Sequence, residues 1–191
     1  MDRRELLKMI ASATGVAMVG MPAFVLGQAP VPQAGADFTA EDIALLDEIA
    51  ESIIPRTDTP GAKDAEVGAF MARFVTDCYS AEDQAAFRAG LLDLDKHASG
   101  SFMSLSPADR LQLLTRLDRE AGERARRAWV AADGSGSASG VHWFTMIKQL
   151  VLFSFFTSQV GATEVLRYDP VPGGYEGDLP YEPGTPAWAT R

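Results

Sequence analysis

The most constraining feature of this chain is a series of helix-start signals, each followed by apolar residues at helical spacing. In the first, Thr39 is placed to cap a helix, and Asp42 three positions later completes a variant of the capping box. Pro55 ends the pattern. Between them, apolar side chains recur every three or four positions, at Ile43, Leu46, Ile49, Ala50, Ile53 and Ile54. This spacing predicts an amphipathic helix with one buried face.

Two further helices follow at short intervals. The second is predicted over residues 62–79, and the third begins after Ser80 and runs to about Ala98. The inward face of the second consists of Val67, Phe70, Met71, Phe74 and Cys78. The turn segment between the first two helices is dense in Pro, Asp, Thr and Gly.

The second half of the chain predicts two more helices and a flexible connector. Ser106 is a cap, with Pro107 in the first helical turn. Glycine and serine dominate residues 131–140, which indicates a linker. The last helix, in residues 141–161, is apolar on nearly every side, so it lies in the core or buries one face against another chain. We therefore predict an all-α fold, a compact bundle of about five helices within residues 37–167.

Residues 1–36 have the composition of an export signal and its linker. The basic start and its leucines match the twin-arginine pattern, at Arg3, Arg4, Leu6, Leu7 and Lys8. An apolar run from Met9 to Leu26 follows, and Ala34-Gly35-Ala36 offers a cleavage site. The alternative is an uncleaved N-terminal membrane anchor, although the run is short for a membrane span. From this leader we predict that the twin-arginine translocase exports the chain to the periplasm.

Residues 168–191 differ in composition from the helical part. Proline and glycine are too frequent there for a helix or a sheet interior. Aromatic residues are nevertheless present, and they favour docking over disorder. We predict an extended arm that contacts a partner, with the interface residues Tyr168, Pro170, Pro172, Gly173, Tyr175, Tyr181 and Trp188, together with Trp143 in the last helix. The alternative is that the arm packs back on its own helices.

The sequence shows no motif for catalysis, for a metal or for a cofactor. Its net charge of −9 argues against a nucleic-acid partner. His97 and His142 are far apart, and Cys78 is the only cysteine, which we expect to be a small buried residue. Adjacent carboxylates occur on polar helix faces or in first turns, where capping and solubility explain them: Asp47 with Glu48, Glu82 with Asp83, and Asp93 with Asp95.

Two loops carry a resemblance to a known family. The segments IPRTDTPGA at residues 54–62 and YDPVPGGY at residues 168–175 resemble the gluconate 2-dehydrogenase subunit 3 family, and the likeness extends from Phe38 to about Tyr181. The resemblance implies a small subunit that is not an enzyme by itself. It accompanies a large FAD-binding catalytic subunit of the glucose–methanol–choline type, which oxidises a sugar or a glucoside.

The resemblance also implies a c-type cytochrome as a third subunit, which carries haem and accepts the electrons. The complex is then periplasmic, or membrane-associated through its other subunits. In such complexes the small subunit supplies the export signal for its folded partner. The alternative from a different class is a stand-alone periplasmic helical binding domain.

Overall fold

The computed structural model describes residues 38–98, 100–131, 142–171, 173–174, 177–178, 180 and 182–190. Within them the α-helices are α1 (Ala40–Ile53), α2 (Val67–Cys78), α3 (Ala81–His97), α4 (Pro107–Ala131) and α5 (Trp143–Thr157). The all-α prediction is confirmed. The leader, Pro172, Tyr175 and Tyr181 lie outside the described residues.

Helices α1 and α3 start at the predicted caps. Thr39 and Asp42 form a capping box at α1, in which each side chain bonds the other residue's backbone N–H. The Ser80 hydroxyl accepts a hydrogen bond from the Asp83 backbone N–H at α3, 3.1 Å away. Such caps satisfy backbone groups that the first helical turn leaves without partners.

Helix α2 begins later than the sequence predicts. Residues Ala62–Ala65 form a separate 3₁₀ turn, and Glu66 then adopts a left-handed conformation with φ of 50°. That conformation breaks the helix, so α2 starts at Val67. Phe70, predicted to face inward, is exposed instead, and Cys78 is only half-buried.

Helix α5 lies at the centre of the bundle and packs against each of the other four helices. This position explains why its sequence is apolar on nearly every side. Its buried residues are Phe144, Met146, Ile147, Leu150, Val151, Ser154 and Phe155. A strip at its C-terminal half, containing Leu152, Phe153 and Phe156, remains exposed. The prediction that this helix lies in the core is confirmed for its buried residues, and burial of the exposed strip against another chain stays a prediction.

Two short strands follow the bundle. After α5 come a π-helical turn (Gly161–Val165) and strand β1 (Arg167–Tyr168), and strand β2 (Trp188–Thr190) pairs with β1 in parallel.

Candidate partner interface

Three phenylalanines from α2 and α5 meet at the surface. The ring centroid of Phe74 lies 5.8 Å from that of Phe70 and 5.5 Å from that of Phe153. Leu152 and Phe156 continue this surface along α5. We call Phe70, Phe74, Leu152, Phe153 and Phe156 the phenylalanine patch.

The patch exposes more large apolar surface than a solvated helix face normally does. Phe70 is 43% exposed, Phe153 38% and Phe156 40%. Single exposed apolar residues are common, but contiguous exposed aromatic surface marks interaction sites. Aromatic side chains bury a large area with few rotatable bonds and are enriched among the residues that dominate binding energy. The patch therefore has the chemistry of a protein–protein interface.

The chain leaves the patch through a tightly packed turn. Ser158 lies directly after α5, and its hydroxyl accepts a hydrogen bond from the Gly161 backbone N–H, 2.9 Å away. A Cβ at Gly161 would lie 2.0 Å from the Phe155 carbonyl oxygen, so the turn requires glycine here. The arm consequently begins at the same end of α5 as the patch.

The arm returns to its own starting point. The Arg167 backbone N–H donates to the Ala187 carbonyl oxygen at 2.8 Å, and the Thr190 hydroxyl donates to the Asp169 carbonyl oxygen at 2.7 Å. The Arg167 guanidinium lies 3.9 Å from the ring centroid of Trp188. The described residues at the two ends of the predicted arm are thus paired with each other.

The described residues of the predicted arm interface are all accessible. Tyr168 is 49% exposed, Trp188 is 37% exposed, and Pro170 and Gly173 are exposed as well. This exposure leaves them available to a partner, and their interface role stays a prediction.

Trp143 lies apart from the other predicted interface residues. It begins α5, roughly 20 Å along the helix from Phe156, and packs against α3 at Gly90. Neighbouring His142 caps α5, where its Nδ1 accepts a hydrogen bond from the Phe144 backbone N–H at 3.1 Å. Partial burial lowers the pKa of His142. An interface role for Trp143 stays a prediction, but its packing within the bundle already accounts for its presence.

The paired carboxylates have structural roles. Asp95 accepts a hydrogen bond from the Phe102 backbone N–H at 2.9 Å, just past the end of α3. Glu48 accepts from Lys63 and, at 2.5 Å, from Arg110 of α4. These bonds, led by the one from Lys63, lower the pKa of Glu48. Nothing in the sequence around Glu48 indicated its contacts, because its partners are distant along the chain.

A separate groove of about 820 Å³ lies between the end of α3 and the first half of α4. Its apolar wall includes Leu105 and Leu111, and its polar wall includes His97, Arg116 and Arg119. His97 is held at the end of α3, with its Nδ1 2.8 Å from the Asp93 carbonyl oxygen. The groove offers two arginines on a chain that is acidic as a whole, but Asp109 also lines it and Arg116 pairs with Glu120 at 3.9 Å.

Among the residues with described positions, no three His, Cys, Asp or Glu side chains come close enough to hold a metal ion. Within the same residues, no helix combines the length and the apolarity needed to cross a membrane.

Comparison with known proteins identifies the family. No curated protein and no solved structure matches the chain. A family model described as gluconate 2-dehydrogenase subunit 3 matches residues 40–173, which include all five helices and the beginning of the arm. The chain therefore belongs to the gluconate 2-dehydrogenase subunit 3 family.

Proposed function

We propose that this chain is the non-catalytic small subunit of an FAD-dependent sugar or glucoside dehydrogenase. The observation that carries the proposal is the phenylalanine patch, on a member of a family named as a dehydrogenase subunit. The family implies association with a catalytic subunit, and the patch supplies an apolar surface for it. The catalytic subunit is of the glucose–methanol–choline type, and a c-type cytochrome accepts its electrons.

The small subunit also directs export in this proposal. The support is the leader, in which Arg3 and Arg4 precede Leu6, Leu7 and Lys8. A catalytic subunit that binds FAD in the cytoplasm must cross the membrane folded. Docking on this chain before export lets one twin-arginine signal serve both proteins and places the complex in the periplasm.

The docking proposal is tested by removing the patch. The wild-type chain, purified from its native periplasm, is expected to bring a stoichiometric partner that mass spectrometry identifies as a dehydrogenase and that carries flavin. In Phe70→Ser/Phe153→Ser, we expect the affinity for that partner to fall about 100-fold, because two aromatic anchors are lost. Leu92→Ser is the matched control, since Leu92 is 70% exposed on α3 outside the patch.

Two results would contradict the proposal. One is flavin and sugar-dependent dye reduction in this chain purified alone. The other is an unchanged affinity of the double patch variant together with a wild-type circular dichroism spectrum.

Export is tested separately with Arg3→Lys/Arg4→Lys. We expect both this chain and the catalytic subunit to remain in the cytoplasm, as measured by fractionation. Arrival of the catalytic subunit in the periplasm would refute the shared signal without affecting the docking proposal.

The groove favours one other function, a stand-alone periplasmic binding domain. Its apolar wall and the cations Arg116 and Arg119 suit a ligand with an apolar body and an acidic end. Size-exclusion chromatography of periplasmic extract separates the two functions. A monodisperse monomer favours the binding domain, whereas co-elution with a flavoprotein favours the subunit.

A further inference from the structure

The connector between α1 and α2 is longer than the fold requires. Residues 54–66 separate the two helices, although α1 and α2 pack directly against each other. Neighbouring helices in a bundle usually need a connection of about two to eight residues. Longer ordered loops on a rigid scaffold are a common place for binding residues.

Two carboxylates, Glu51 and Asp64, hold this connector in one conformation, and we call them the clamp. Glu51 of α1 accepts hydrogen bonds from the backbone N–H groups of Arg56, at 2.8 Å, and Lys63, at 3.0 Å. Asp64 accepts from the Gly61 backbone N–H at 2.7 Å and pairs with the Arg56 guanidinium. A Cβ at Gly61 would lie 2.5 Å from the Arg56 nitrogen and 2.7 Å from the Glu51 carboxylate, so the close approach requires glycine.

The fixed backbone presents a polar tip to solvent, which consists of Thr57, Asp58 and Thr59. The Thr57 backbone N–H donates to the Thr59 carbonyl oxygen at 3.0 Å, and the Thr57 hydroxyl donates to the Asp58 carboxylate at 2.9 Å. All three tip residues are exposed. Within the described part of the chain, Asp58 forms no ion pair. The clamp therefore orders a segment that contributes no apolar burial of its own.

The tip lies at the end of the bundle that carries the candidate interface. Ala62 follows the tip and is fully buried, and its backbone N–H donates to the Ile54 carbonyl oxygen at 2.9 Å. The 3₁₀ turn Ala62–Ala65, which follows the tip, contacts α5, the helix that carries Leu152, Phe153 and Phe156 of the patch. Phe70, at the start of α2, belongs to the patch.

We infer that residues 55–61 are a preorganised docking loop that places the Asp58 carboxylate against a basic surface of the catalytic subunit. This inference rests on the proposed function. Charge complementarity selects the partner surface, because an exposed carboxylate that has no ion pair among the described residues attracts arginine or lysine. The clamp lowers the conformational entropy that docking would otherwise cost. Asp58 is the contact residue, and Glu51 is a positioning residue.

The test compares three variants that each remove one negative charge: Asp58→Ala at the tip, Glu51→Ala at the clamp and Glu123→Ala as the control. Glu123 is exposed in the middle of α4. Affinity for the purified catalytic subunit is measured at low and high salt. We expect Asp58→Ala to weaken binding about tenfold at low salt and to reduce its salt dependence. The control should remain within twofold of wild type.

Glu51→Ala is expected to weaken binding by a similar factor, mainly through the association rate, because the loop no longer rests in the docking conformation. Hydrogen exchange provides a readout independent of affinity. The amides of Arg56 and Lys63 should exchange faster in the free variant and regain protection in the complex.

The outcomes separate the two claims. If the wild-type chain binds no flavin dehydrogenase, the proposed function fails. If it binds one, and both Asp58→Ala and Glu51→Ala bind as tightly as wild type, the docking loop is refuted while the proposed function stands. A Glu51→Ala chain that does not fold leaves Asp58→Ala to decide, since the tip residues do not belong to the core that the described residues form.

Discussion

Two glycines in helix interiors should respond in opposite ways to the same substitution. Gly122 lies in α4, and a Cβ built on it meets no heavy atom within 4 Å. Replacement of an exposed helical glycine by alanine stabilises a protein by about 0.5–1 kcal/mol, mainly because the unfolded chain loses conformational freedom. We therefore expect Gly122→Ala to stabilise this bundle by that amount.

Replacing Gly90 in α3 by alanine should bring the same stabilisation of the helix, but here the added Cβ meets a neighbouring side chain. A Cβ there would lie 2.8 Å from the Cβ, Cδ2 and Cε3 atoms of Trp143. Carbon atoms prefer about 3.5–4.0 Å, so α3 or α5 must shift. Overpacking of this kind costs about 1–3 kcal/mol. After the helical gain is subtracted, we expect Gly90→Ala to destabilise the protein by about 1 kcal/mol.

Urea and thermal unfolding followed by circular dichroism measure both changes. For a domain of this size, 1 kcal/mol corresponds to about 2–4 °C in Tm. The two variants should therefore differ by about 3–8 °C, with wild type between them. If Gly90→Ala stabilises the protein as much as Gly122→Ala does, the close crossing of α3 and α5 at Trp143 is wrong.

Three further perturbations have definite expected outcomes. The folded-state pKa of Glu48 is lowered, so its contribution to stability is present above the unfolded pKa, near 4.5, and is lost as pH falls through the lower folded value. In Lys63→Met, urea midpoints at pH 7, 5 and 3 should fall less on acidification than in wild type; an equal fall would contradict the assigned contact. Burial raises the pKa of the Cys78 thiol, so at pH 8 iodoacetamide should modify it several-fold more slowly than free cysteine, and an equal rate would show full access. Trp188→Ala removes the contact with Arg167 and should open the arm to proteolysis while the Tm of the bundle stays within about 1 °C; a clear loss of Tm would show that the arm supports the bundle.

The starts of α1 and α3 could be predicted from the sequence because their determinants are local. Thr39 with Asp42 and Ser80 with Asp83 are three residues apart, and each pair forms its hydrogen bond within one helical turn. Which side of a helix is buried depends less on the local sequence. Phe70 and Met71 are adjacent on α2, and only packing against other helices decides that Met71 is buried and Phe70 exposed.

The clamp on the α1–α2 connector could not be predicted for the same physical reason. Glu48 and Glu51 have the spacing of a solvated helix face, and their partners Lys63 and Arg110 come from later parts of the chain. A carboxylate that accepts distant backbone N–H groups has no signature in its own neighbourhood. The phenylalanine patch could not be predicted either, because apolar periodicity does not distinguish a core face from an interface.

The pairing of β1 with β2 has a practical consequence for anyone who handles this protein. Because Trp188–Thr190 returns beside Arg167–Tyr168, these last described residues come back to the base of the arm, near the end of α5. An affinity tag or fluorescent protein fused there would project from the same end of the bundle as the phenylalanine patch. Such a fusion would compete sterically with any subunit bound at that end, so labels belong elsewhere, for example at an exposed site in the middle of α4.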